Sequence, residues 1–168
     1  MRRIIPFVLA VAGLAAGWWL AGARDPAGAG PESELVTLLD RGLAQLENER
    51  DGDAEATFAE LARRASRDPA GPGNRALALA RLGRFEEAFA EADEAVSRAP
   101  DEPAVAVLRA DLLAASGRTE EAIAELERAS ATAPDDASIH QRRLEQATLV
   151  GDRELARSAL DRLPALRP

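Results

Sequence analysis

The chain has no cysteine, no lysine and a single histidine among its 168 residues, and only 4% of it is aromatic. Without cysteine there can be no disulfide framework and no N-terminal lipid on a thiol, so stability must come from packing alone. With His140 as the only histidine, most metal sites and histidine-based nucleophilic machinery are excluded. Basic residues are also in deficit. The formal net charge is -8, and with Arg2 and Arg3 set aside 19 arginines face 29 acids, or -10. Such a surface repels nucleic-acid phosphates and disfavours adsorption to anionic lipid headgroups. There is no phosphate loop, nucleophile elbow or dinucleotide fingerprint. The paired acids Glu86-Glu87, Glu120-Glu121 and Asp135-Asp136 fall at helix starts, where they favour the positive end of a helix rather than acid–base work. No enzyme, cofactor or metal is expected.

What is present is a period. Gly83, Gly117 and Gly151 recur at a step of 34, as do Pro100, Pro134 and Pro168, and as do Ala88, Ala122 and Ala156. Self-similarity at this step means that one helix-turn-helix unit is stacked on the next. Gly52 precedes Pro69 by the same interval that separates Gly83 from Pro100, which marks an earlier copy with Gly52 in its turn. That copy stands three positions short of a full step before the next. The shortfall is assigned to Pro69-Ala70-Gly71-Pro72-Gly73, where two prolines and two glycines oppose helix. The following helix is therefore predicted to start near Asn74 and to be the shortest in the array. Ser33 is predicted to cap the first helix, and Asp101 and Asp136 to lie at later helix starts.

These markers resemble the tetratricopeptide repeat family, whose unit is an antiparallel helix pair of about 34 residues. The resemblance implies an all-α solenoid of about four repeats over 33–168, with units at about 33–69, 70–100, 101–134 and 135–168. Its small residue in the first helix falls at Gln45, Ala76, Ala110 and Leu144. Its small-large-small series in the second helix falls at Ala88, Ala92, Ala95 and at Ala122, Leu126, Ala129, more loosely at Thr57, Leu61 and at Ala156, Leu160, Leu163. Arg64 and Leu163 stand where alanine is usual. Two helices that cross closely need Ala or Gly at the approach and Leu, Phe or Val around it.

Arg2 and Arg3 are followed by twenty residues without a charge, Ile4 to Ala23, long enough to cross a hydrocarbon layer about 30 Å thick at about 1.5 Å per residue. The expectation is a hydrophobic N-terminal helix, residues 1–23, acting as a signal anchor, with the repeats outside a bacterial inner membrane. A cleaved signal peptide ending at Ala21-Gly22-Ala23, releasing a soluble periplasmic or secreted protein, is the alternative. Residues 24–32 read as a flexible linker.

The resemblance also implies where a partner sits, because the first helices of successive repeats line the concave face. In the register above the inward positions are Leu43, Leu46 and Arg50, then Asn74, Leu77 and Arg81. Leu108, Asp111 and Ala115 follow, then Gln141, Arg142 and Glu145. Relatives that clamp a C-terminal carboxylate place basic and asparagine side chains at five such positions. Here they are Gly42, Leu46, Asn74, Ala104 and Leu108, and only Asn74 matches. The leucines beside Arg50 and Arg81 suit instead a peptide or protein segment carrying apolar and acidic residues. The function expected is a non-enzymatic scaffold of the cell envelope, with a structural or oligomerisation module as the alternative. The C-terminal end carries no polar solvating helix, so Leu155, Leu160 and Leu166 are expected to be exposed and open to self-association.

Overall fold

The computed structural model describes residues 31–163. The apolar segment 4–23, most of the linker, and Pro164, Leu166 and Pro168 lie outside them. Among the described residues there are eight helices and no strand: α1 Pro31–Glu47, α2 Asp51–Arg64, α3 Ala70–Arg81, α4 Phe85–Arg98, α5 Pro103–Ala115, α6 Thr119–Thr132, α7 Ala137–Val150 and α8 Arg153–Leu160. None of these is long and apolar enough to cross a membrane. The chain divides into two compact units, with the boundary between Ala95 and Val96 in the last turn of α4.

The turn inside each helix pair is the repeating object. Gly83, Gly117 and Gly151 take φ of 77, 85 and 76°, the left-handed region that glycine enters without steric cost. The fourth member is Glu49, at φ 57°, one full step before Gly83. Backbone bonds around the turn keep the same step: Arg50, Arg84, Arg118 and Asp152 N–H groups donate to Gln45, Leu79, Leu113 and Ala147 carbonyls at 2.8 to 2.9 Å. Four bonds that move by 34 each time fix the register. The first repeat is therefore full length, and the register keyed on Gly52 is three residues off. Gly52 lies inside α2, and the turn position is held by a glutamate that a search for glycine passes over.

Shifting the first repeat by three explains its packing. The small residue of its first helix is Gly42, not Gln45, and a Cβ there would run into the Phe58 ring. The second-helix series becomes Ala54, Phe58 and Leu61, all buried, in line with buried Ala88, Ala92, Ala95 and Ala122, Leu126, Ala129. Gln45 instead falls at the position of buried Leu79 and Leu113. Its amide is satisfied there by the Thr57 hydroxyl, which donates to Oε1 at 2.7 Å. Leu38, Leu46, Ala54, Phe58, Leu61 and Ala78 form the core of the first unit.

Two further expectations are corrected. Helix α3 begins at Ala70 rather than near Asn74, and the shortest helix is α8, eight residues long. Proline in a first helical turn removes an N–H that has no intrahelical partner, so Pro72 costs no bond. The first bond of α3 runs from Gly73 N–H to Pro69 O at 2.9 Å, and Asp68 Oδ1 accepts from Ala70 N–H at 2.8 Å. Gly71 is needed for another reason: a Cβ there would lie 2.5 Å from both Ala62 Cα and Ala62 N of α2. Ser33 does not cap α1, which already starts at Pro31.

In the second unit α5 packs on α6, α6 on α7 and α7 on α8, with α5 also against α7. Asp136 caps α7 by accepting from Ser138 and Ile139 N–H groups, as the sequence predicts. His140 is buried on α7, and its Nε2 lies 2.7 Å from Pro134 O. A carbonyl only accepts, so Nε2 carries the proton there.

Candidate partner-binding face

The second helices of the first three repeats start with the same electrostatic device. Arg50 pairs with Asp53, Arg84 with Glu87 and Arg118 with Glu121, a step of 34 again. Arg118 is bidentate, Nε and Nη2 donating to the two Glu121 oxygens at 2.6 Å. The acid sits in the first turn, where the helix dipole favours it, and hydrogen bonding to arginine holds the Glu87 and Glu121 carboxyls below their ordinary range. In α8 the device is replaced by Asp152, which caps Glu154 and Leu155 N–H groups directly. Arg50, expected at the partner face, is thus a structural element of a turn.

The other predicted positions of the first unit divide. Leu46 is taken up in the core, and Leu43 packs half-buried against it. Asn74 is buried, its amide donating to Ala70 O at 2.8 Å, so the one match to a carboxylate clamp is already spent. Leu77 is half-buried. Arg81, at the end of α3, lies 2.8 Å through Nε from Asp51 Oδ1 at the start of α2, a close charge contact that lacks hydrogen-bond alignment. Each charge meets the helix end that favours it. Arg75 is a missed member of this network: it bridges Glu55 of α2 and Glu91 of α4.

With the register corrected, the positions that the resemblance assigns to the partner face in the first repeat are Asp40, Leu43 and Glu47. Spacings of three and four put them on one stripe of α1, and Val36, four residues before Asp40, extends it. Val36, Asp40 and Glu47 are exposed.

In the second unit the structure brings predicted residues together. Arg142 on α7 is buried and reaches Asp111 Oδ2 on α5 at 3.1 Å through Nη2, and Glu145 Oε2 at 2.7 Å through Nη1. Gln141, exposed, points its amide at Glu145. Leu108 is half-buried and Ala115 exposed. Two carboxylates share one guanidinium in a poorly solvated place. Burial pushes the Asp111 carboxyl up to about 7, with Arg142 opposing and Glu145 adding to the rise. Asp111 and Glu145 are one repeat step apart, and like charges at one repeat position are a signal that the sequence does carry. Exposed Leu149 and Val150, at the end of α7, are a second feature that sequence reading missed, whereas Leu160 is exposed as expected and Leu155 half-buried. No group of three or more metal-ligating side chains is poised to hold an ion among the described residues.

Two family models, both described as tetratricopeptide repeat, match residues 39–103 and 79–144 and together cover more than half of the chain. The chain is built of tetratricopeptide repeats. Solved structures agree in fold. A thermophilic tetratricopeptide repeat protein of Thermus thermophilus is 22% identical with a TM-score of 0.66, over 79% of this chain and 74% of that one. PilF of Pseudomonas aeruginosa is 15% identical with a TM-score of 0.68, over 82% of this chain and 63% of that one. The first repeat domain of Spaghetti (RPAP3), solved with the HSP90 peptide SRMEEVD bound, is 19% identical with a TM-score of 0.58, over 71% of this chain and 95% of that one. No curated protein matches the chain. Repeat domains of this kind generally act as protein-interaction scaffolds.

Proposed function

We propose that this protein is a non-enzymatic scaffold of the bacterial cell envelope that holds a peptide or protein segment on the first helices of its repeats, tethered through residues 4–23. The observation that carries the binding reading is the solvent-exposed stripe of α1. Val36, Asp40 and Glu47 are exposed, although the other side of the same helix is fully engaged by Leu38, Gly42 and Leu46 in the core. A C-terminal carboxylate does not suit this chain as a ligand, because its one matching asparagine is consumed internally. The envelope location is supported by Arg2-Arg3 ahead of twenty uncharged residues.

Site-specific photo-crosslinking in cells tests the binding reading. A crosslinker in place of Glu47 is expected to give a discrete protein adduct, and one in place of Glu127 on α6 none. Equal labelling from both positions, or none from Glu47, refutes it. Intact mass of protein recovered from membranes tests the tether, since loss of residues 1–23 rules it out. Exposed Leu149, Val150 and Leu160 favour a second reading, self-association through the last helices. A concentration-independent monomer in light scattering dismisses that one.

A further inference from the structure

The charges left over after internal pairing tell what the partner carries. In the first unit both cations expected to attract an acidic segment are committed, Arg50 to Asp53 and Arg81 to Asp51. An acidic partner would have to compete with acids already in place. Asp40 and Glu47, which the corrected register puts on the inward stripe, are exposed and have no ion pair or side-chain hydrogen bond among the described residues. They flank Leu43, seven residues apart, or about 10 Å along the helix. In the second unit the positions homologous to Leu43 hold Asp111 and Glu145, with Arg142 between them.

Resting on the scaffold reading above, we propose that the bound segment is basic and partly apolar, with lysine or arginine side chains pairing with Asp40 and Glu47 on either side of Leu43. Charge complementarity sets the sign, and the half-exposed leucine with Val36 supplies the apolar contact.

The test uses the full-length chain and two labelled twelve-residue peptides, repeating Leu-Ala-Lys and repeating Leu-Ala-Glu. In a polyproline II conformation, with three residues per turn and about 3.1 Å rise, the charges share one face about 9 Å apart, close to the spacing on α1. Fluorescence anisotropy is expected to show the lysine peptide binding about tenfold tighter or more. Asp40→Asn with Glu47→Gln should weaken it about fivefold. The control pair Glu120→Gln with Glu127→Gln on α6 removes the same charge and should change affinity by less than about twofold. Equal or tighter binding of the glutamate peptide overturns the inference and leaves the scaffold standing. So does equal weakening by both variant pairs, since net charge alone would then be at work. Binding of neither peptide overturns the scaffold reading together with the inference.

Discussion

Gly71→Ala should destabilise the protein although alanine is the better helix former. The added Cβ would sit 2.5 Å from Ala62 Cα and from Ala62 N, where carbon atoms prefer about 3.5–4.0 Å. Helices α2 and α3 would have to separate by about 1 Å to restore that contact distance. Overpacking of this kind costs about 1–3 kcal/mol, and the conformational gain of Gly→Ala returns about 0.5–1 kcal/mol. A net loss of about 1–2 kcal/mol is expected, read as a lower midpoint in urea unfolding followed by circular dichroism. Gly52→Ala is the control: it lies in α2 with no atom within 4 Å of the added Cβ, so it should be neutral or slightly stabilising. The obstacle at Gly71 is backbone, so Ala62→Gly should not rescue the loss. At Gly42 the obstacle is the Phe58 ring, and Phe58→Leu should recover part of the cost of Gly42→Ala. A Gly71→Ala protein as stable as the Gly52→Ala control would refute the argument that close helix approach dictates glycine there.

Glu49→Gly should stabilise by about 1 kcal/mol, because a left-handed residue with a Cβ costs roughly 1–2 kcal/mol that glycine does not; an unchanged urea midpoint would count against Glu49 as the turn residue of the first repeat. Asp111→Asn should flatten the pH profile of stability. With its ordinary value at 3.8 and its folded value at about 7, the folded chain holds a proton that the unfolded chain releases, so this group's contribution is full below about pH 4 and lost as pH rises through 7. Between pH 5 and pH 8 the loss amounts to about 3 kcal/mol at most, and a wild-type profile as flat as that of the variant would refute it.

The fold was legible because three glycines, three alanines and three prolines keep one step, and the glycines meet a left-handed turn that few residues accept. Legibility failed where an unusual residue met the same requirement. Glu49 takes the left-handed turn, and a reading by residue type settles instead on the nearest glycine, three residues on. That slip moves the inward positions of the first repeat from Asp40, Leu43 and Glu47 to Leu43, Leu46 and Arg50. The cluster Pro69 to Gly73 misleads for a different reason: Pro72 falls in a first turn and Gly71 at a helix crossing, both places where their helix-breaking tendency is harmless or useful. At the partner face, Arg50, Arg84 and Arg118 recur at the repeat step with an acid three residues later, a signal the sequence holds in plain form. The contacts of Arg75 with Glu55 and Glu91 follow no period and needed coordinates.

Counting charges by residue type along a repeat protein gives the wrong sign for its partner unless internal pairing is subtracted first. Arg50, Arg81 and Arg142 look like three cations presented to a ligand, yet each lies within 3.1 Å of an acid of the same chain. Exposed pairs such as Arg50–Asp53 contribute little stability, so a ligand could in principle break them at small cost. The half-buried Arg81–Asp51 contact and the buried Arg142 are different, because pulling the arginine away would leave an acid poorly solvated and unpaired. An acidic segment would therefore have to offset that penalty at two of the three arginines. A basic one meets Asp40 and Glu47, exposed and uncommitted among the described residues, and this asymmetry decides the choice.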